Sequence, residues 1–334
     1  MRTAFTRTSA RAASWLGLFL GVAIAVALVV WQGATQVASL LASSDWKLVL
    51  VAVFAVPQLL LSTASWQLLF PPQGAPRFGR TLLAMWIGSS INLMLPVASL
   101  GGDVVRARLI AIWSGKRRDA VASVVVDKTV LVATLPIVGV IGTAALMRIV
   151  PDAGSLPAAI GAVIVLVIAL AVLVIVQRAG VFGFLALRAV RLARRAGWDG
   201  LVAHASDLDG AIRALYSRPV RVAASCGLRV LARLSASGEV WLAARLLGHP
   251  ITIAEAVLLK SFTLVARAVA FPVPAGLGVQ EGSFVALGAL IGLPPDVALA
   301  TSLGTRVREI VSSVPGLLAW QTVEGRGLWR RRAA

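Results

Sequence analysis

Ten ionisable side chains stand inside otherwise apolar stretches: Asp127, Lys128, Arg229, Arg233, Glu239, Lys260, Arg267, Arg306, Arg308 and Glu309. A charge at the centre of a membrane helix costs about 2.5–3.5 kcal/mol on insertion scales, so each one needs a partner or a wet cavity. Seven of the ten are cations and three are acids. An interior with that excess suits an anionic group, and the planar arginine fork matches phosphate oxygens. Spacing supplies some pairs locally. Arg306 and Glu309 are three apart, as are Asp103 and Arg106, so each pair shares a helix face. Arg229 and Arg233 are four apart and share a face that calls for anions. The competing account of the same residues is a set of interhelical ion pairs that only fasten a bundle together.

Two breaks rich in glycine and proline accompany these charges. Pro96 is followed by Gly101, Gly102 and Asp103, and Pro274 by Gly276, Gly278, Glu281 and Gly282. Each is a proline break, a Leu-Gly pair, then an acid opening a new helix, and each lies in a different half of the chain. Paired interruptions of this kind point to a transporter's binding site. A helix that starts at such a break offers free N–H groups to an anion. Glu281 in that first turn either satisfies those N–H groups or competes with a ligand for them.

Enzyme chemistry finds little support. The histidines are His204 and His249 alone, and Cys226 is the single cysteine. That leaves no Ser/His/Asp triad, no Cys/His metal-ligand cluster and no intramolecular disulfide. Asp103 and Glu281 are a carboxylate pair of the kind used for acid–base work, but nothing in the sequence brings them together. No cofactor is called for.

The elements that must position these groups are membrane helices. Hydrophobic residues make up 58% of the 334, charged residues 14%, and mean hydropathy is +0.88. A soluble domain carries about 25% charged residues. Residues 16–30 and 157–176 are apolar throughout, and 129–147 carry no charge. About 20 such residues cross a bilayer core. Several crossings predict an all-α, polytopic transmembrane bundle, which excludes a cytosolic enzyme, a secreted disulfide scaffold and a disordered tail. The net charge of +18 follows basic residues that flank apolar runs, so it reads as cytoplasmic anchoring and not as nucleic-acid binding.

The pattern predicts a retained signal-anchor helix over 14–34, with Trp15 and Trp31 at its two interfaces, and a returning span over 46–70. Residues 81–113 have basic groups at both ends and a break at Pro96. They read equally as a re-entrant hairpin or as a span kinked at that proline. Further spans are expected over 119–149, 157–176, 220–247, 251–271 and 296–323, with another apolar stretch ending near 293. An arginine-rich segment over 177–220 links an N-terminal half (1–176) to a C-terminal half (221–334) of a single integral membrane domain. Within it, 181–196 predicts an amphipathic helix, either lying in the interface or serving as a solvated linker. Both termini inside require an even number of crossings, about eight.

At these loops the sequence resembles the lysylphosphatidylglycerol synthase transmembrane family of flippase-like proteins. Three blocks carry the likeness: Asn92-Leu93-Met94-Leu95-Pro96 through Gly102-Asp103 to Arg106; Pro274-Ala275-Gly276-Leu277-Gly278-Val279-Gln280-Glu281-Gly282; and the final span with Arg306. The sequence departs from the family pattern at Ala275, where a second glycine is common, and at Gln280, where an arginine is common. The resemblance implies a lipid-handling protein of a bacterial inner membrane, a flippase or exporter, and the C-terminal half is most similar to the hopanoid-associated branch. The large soluble domain of the lysyl-transferring enzymes has no counterpart here, so lysyl transfer is not expected.

The expectation that follows is headgroup contact by Arg106, Lys260, Arg267 and Arg306. The broken helices would be shaped by Asn92, Pro96, Gly101, Gly102, Pro274, Gly276, Gly278 and Gly282, with Asp103 and Glu281 capping or gating. The partners would be membrane lipids with anionic or polar headgroups, and lipid-biosynthesis enzymes are further candidates. Two other classes stay open: a membrane-embedded lipid transferase, and a non-catalytic scaffold of a lipid-biosynthesis complex.

Overall fold

The fold comes from a computed structural model that describes residues 45–71, 75–94, 101–149, 214–270 and 276–332, with single positions at 210, 212 and 273. Among them no strand occurs. A 3-10 stretch, Asp45–Phe54, runs straight into α1 (Ala55–Gln67). Then follow α2 (Phe78–Met94), α3 (Gly101–Ser114) and α4 (Arg117–Ile149). After the 150–209 interval come α5 (Pro219–Ser235), α6 (Ser237–Leu246), α7 (Ile253–Val269), α8 (Val279–Leu290) and α9 (Pro295–Arg332). The expected helices over 14–34, 157–176 and 181–196 lie outside the described residues, as do Pro96 and Pro274.

Among the described residues, two stretches, Trp46–Gln67 and Arg117–Ile149, are long and apolar enough to cross a membrane. At 33 residues α4 is about 50 Å long at ~1.5 Å per residue, more than the ~30 Å a hydrocarbon core needs. The arms of the two broken segments are shorter. α2 and α3 have 17 and 14 residues, and α7 and α8 have 17 and 12. All fall below the ~20 residues of a full crossing.

Residues 81–113 resolve into a hairpin. Arg80 Nη1 donates to the Trp113 carbonyl at 3.1 Å, so the basic entry and exit ends are neighbours. At the other end the Gly102 N–H donates to Asn92 Oδ1 at 2.8 Å. The arms close so tightly that a Cβ on Gly102 would run into the Gly88 carbonyl. The kinked single span does not form, because α3 lies back along α2 with Trp113 beside Arg80 and Gly102 beside Asn92.

Local chemistry sets the second break. Thr252 and Glu255 form a capping box at the start of α7, with Thr252 N–H to Glu255 Oε2 at 2.6 Å and Glu255 N–H to Thr252 Oγ1 at 3.2 Å. α7 stops at Ala270. Gly276 and Gly278 then take φ of +60° and +76°, which side-chain-bearing residues rarely adopt. The expected single span over 220–247 is divided at Ala236 into α5 and α6.

Packing interleaves the halves of the sequence. α4 runs along α3, α5 and α7, and α9 runs along α2 and α8. One apolar cluster gathers Trp66, Ile87, Ile110 and Val126 from α1 to α4. A second gathers Val240, Leu259, Phe284 and Ala298 from α6 to α9. Small residues permit the closest crossings: Gly142 of α4 lies on Ser261 of α7, and Gly316 of α9 on Ser90 of α2.

Candidate functional site

Buried charges collect beside each break. In the first cluster Asp127 of α4 is wholly buried, among apolar neighbours that could not stabilise it alone. Arg106 of α3 reaches Asp127 Oδ2 at 2.8 Å, and Arg229 of α5 takes Oδ1. Arg106 also binds Asp103 Oδ1 of its own helix at 3.0 Å, while Lys128 Nζ binds Asp103 Oδ2 at 2.7 Å. The Arg106 guanidinium lies 4.9 Å from the ring centre of the buried Trp66. Such a cation–π contact is stronger where water is excluded.

The second cluster is a chain of charges across α6, α7, α8 and α9. Glu239 is wholly buried and bonds Lys260, and Arg308 Nε lies 2.5 Å from its other oxygen. Arg308 Nη2 reaches Glu309 Oε1 at 3.7 Å. Glu309 also takes Arg267 at 2.9 Å and Arg306 at 3.1 Å. Arg306 Nε binds Glu281 Oε1 at 3.0 Å, and its Nη2 donates to the Gly276 carbonyl at 3.3 Å. The guanidinium of Arg306 therefore seats against the backbone of the break itself. Glu281 Oε2 accepts the Gly278 N–H at 2.7 Å, so this carboxylate both caps α8 and neutralises Arg306.

The four cations expected to contact a headgroup thus fall in two places. Lys260, Arg267 and Arg306 share the second cluster, and Arg106 belongs to the first. Each has a carboxylate partner. Gly101 opens α3, Gly102 forms the close crossing, and Asn92 receives its N–H. Gly276 leaves room for the Arg267 side chain, which a Cβ would strike. Gly282 donates its N–H to the Gly278 carbonyl at 2.9 Å in the first turn of α8.

Gln280 carries more than sequence reasoning assigned to it. It is wholly buried, accepts from Arg267 Nη1 at 2.7 Å, and donates to Thr305 Oγ1 at 3.0 Å and Ser302 Oγ at 3.2 Å. The signal was available: a polar amide directly before the capping acid of a buried helix needs partners of its own. Trp66 beneath Arg106 carried no such signal, because only packing brings α1 to α3.

Among the described residues, no three His, Cys, Asp or Glu side chains sit together as a metal site requires. The arrangement offers an interior of paired charges at two irregular breaks, with cations in excess. The family model described as Lysylphosphatidylglycerol synthase TM region matches residues 18–316. No curated protein and no solved structure matches the chain.

Proposed function

The chain belongs to the lysylphosphatidylglycerol synthase transmembrane family, and we propose that this lipid-handling membrane protein moves a lipid between leaflets, the headgroup passing the charged break between α7 and α8. One observation carries the reading. Arg306 is bonded at once to the break's backbone at Gly276, to the cap of α8 at Glu281, and to Glu309. An anionic headgroup exchanging for either carboxylate on Arg306 would loosen the cap and the turn together. Buried pairs exchange partners at smaller cost than they lose them, since an unpartnered buried charge is the expensive state.

The proposed setting is a bacterial inner membrane with both termini cytoplasmic. This rests on the basic flanks of the apolar segments. Polar-headed hopanoids belong among the lipids to test, because the C-terminal half is most similar to the hopanoid-associated branch. A structural scaffold is the second reading, favoured by the carboxylate partner of every cation in the second cluster.

Reconstitution into vesicles carrying fluorescent phosphatidylglycerol or phosphatidylcholine separates the two. The expected result is faster loss of inner-leaflet protection from an impermeant quencher than in protein-free vesicles, an acceleration reduced at least tenfold by Arg267→Ala with Arg306→Ala. Movement of neither lipid would favour the scaffold, and movement untouched by the double substitution would overturn the path past Arg306.

A further inference from the structure

Among the described residues, Arg233 is the interior cation that stands apart. The seven others, Arg106, Lys128, Arg229, Lys260, Arg267, Arg306 and Arg308, each have a carboxylate within ion-pair distance. Arg233 is held by one hydrogen bond, from Nη2 to the Leu131 carbonyl at 2.8 Å. Its Nε and Nη1 are buried and have no acceptor. The same is true of Arg229 Nε, four residues before it, and of Ser237 Oγ, four residues after it. Arg229 and Ser237 are themselves 5% and 3% exposed. Ala236, between α5 and α6, keeps helical dihedrals of −69° and −15°, so 229, 233 and 237 stay on one side of the chain.

A column of four orphaned polar atoms, three of them arginine N–H groups and the fourth a hydroxyl, is a specific chemical demand. Buried donors without acceptors are costly, and native interiors rarely keep them. The matching group is anionic, has several acceptor oxygens and needs no donor of its own. Phosphate fits these requirements, and each unpartnered guanidinium N–H can donate a charge-assisted hydrogen bond to one of its oxygens. The column's position adds to this. Leu131 lies near the middle of the 33-residue α4, which in a span centred on that helix falls within the bilayer interior.

We propose that Arg233, Arg229 and Ser237 form a phosphate-binding station midway through the membrane, occupied by the phosphodiester of a lipid in transit or by free phosphate. The station deepens the lipid-moving reading by naming the group that is held. It does not need a carboxylate to be displaced, because no carboxylate occupies Arg233. Binding alone tests it, so its failure and the failure of transport are separate results.

Binding is measured on the full chain purified in nonionic detergent. The probes are dihexanoyl phosphatidylglycerol, inorganic phosphate, and neutral dihexanoylglycerol. The expected result is that phosphatidylglycerol binds, that dihexanoylglycerol does not, and that Arg233→Gln weakens the former at least tenfold. Ser237→Ala should weaken it about threefold, and Arg233→Lys, which keeps charge but not the fork, should fall between. If inorganic phosphate binds with the same dependence and competes with phosphatidylglycerol, the lipid phosphodiester occupies the station. If inorganic phosphate binds and phosphatidylglycerol does not, the occupant is free phosphate. The proposal is overturned when both phosphate probes bind Arg233→Gln as they bind the parent, or when dihexanoylglycerol binds as well as phosphatidylglycerol. Should Arg233→Gln not fold, Arg233→Lys and Ser237→Ala decide by the same comparison. Binding that persists without lipid movement in vesicles would retain the station and remove only the translocation reading.

Discussion

The segments α2–α3–α4 and α7–α8–α9 are built to one plan. Each is a hairpin of two short helices followed by a long one, with 17, 14 and 33 residues in the first and 17, 12 and 38 in the second. In each, an acid in the first turn of the second arm binds a cation of the long helix 25 residues later, Asp103 with Lys128 and Glu281 with Arg306. What fills the hairpin differs. In the first, Gly88 and Gly102 bring the arms into backbone contact, and Asn92 ties the tip. In the second, Arg267 and Gln280 stand between the arms and bond each other. The first hairpin is closed by glycine contact and the second by polar side chains. Backbone contact has one tight minimum, whereas side-chain bonds have alternative partners. The second hairpin is therefore the better candidate for movement.

The largest effect should come from the core of the first unit. Asp127→Asn leaves Arg106 and Arg229 facing each other without their shared counter-charge, and removal of one member of a buried pair costs about 3–5 kcal/mol. Thermal unfolding in detergent should show a fall of many degrees or no folded protein at all. A normal melting temperature would show that Asp127 is wetter than its zero exposure implies.

Gly102→Ala should follow, at about 1–3 kcal/mol for a methyl forced into a tight crossing. Gly227→Ala, on α5 with open space around it, should instead gain up to about 1 kcal/mol of helix propensity. Equal responses of the two alanine variants in unfolding would break the idea that the first hairpin is closed by backbone contact.

The comparison sharpens further with double-mutant cycles. Glu281→Gln with Arg306→Gln should show a coupling of about 1–3 kcal/mol, because both side chains are well buried. Asp103→Asn with Lys128→Gln should show less, since the Lys128 side chain is 32% exposed and water screens it, against 13% for Arg306. Equal couplings would erase this distinction between the units. The smallest change is expected from Thr252→Ala, which removes the cap of α7 far from the charged break. It should cost about 1 kcal/mol of stability and leave lipid movement unchanged. A transport defect in this variant would show that the hairpin as a whole, and not its charged tip, sets the rate.

Much of this was legible from spacing. The apolar runs gave helices, and the glycines at 276 and 278 marked a break, where the structure shows positive φ. The i, i+3 pairs Asp103–Arg106 and Arg306–Glu309 form as their spacing predicts, at 3.0 and 3.1 Å. The echo between the two breaks was visible as proline, Leu-Gly and acid. The 25-residue step to the cation was not, because Lys128 and Arg306 acquire meaning only once the long helices lie beside their hairpins. Residues 81–113 left a kinked span and a hairpin equally open, since both bury the same apolar residues. The contact of Arg80 with Trp113 decides between them.

By itself the sequence determined that the chain is helical and membrane-bound, where its two hairpins break, and that its interior carries more cations than acids. Those properties depend on local periodicity and on the cost of charge in hydrocarbon, which neighbours along the chain already set. Tertiary structure alone decided which acid meets which cation and that Arg106 stands apart from Lys260, Arg267 and Arg306. It also decided that Nε and Nη1 of Arg233 are left without an acceptor. A pairing across helices is fixed by how they pack, and one sequence of spans allows many packings until close crossings such as Gly88 on Gly102 select one.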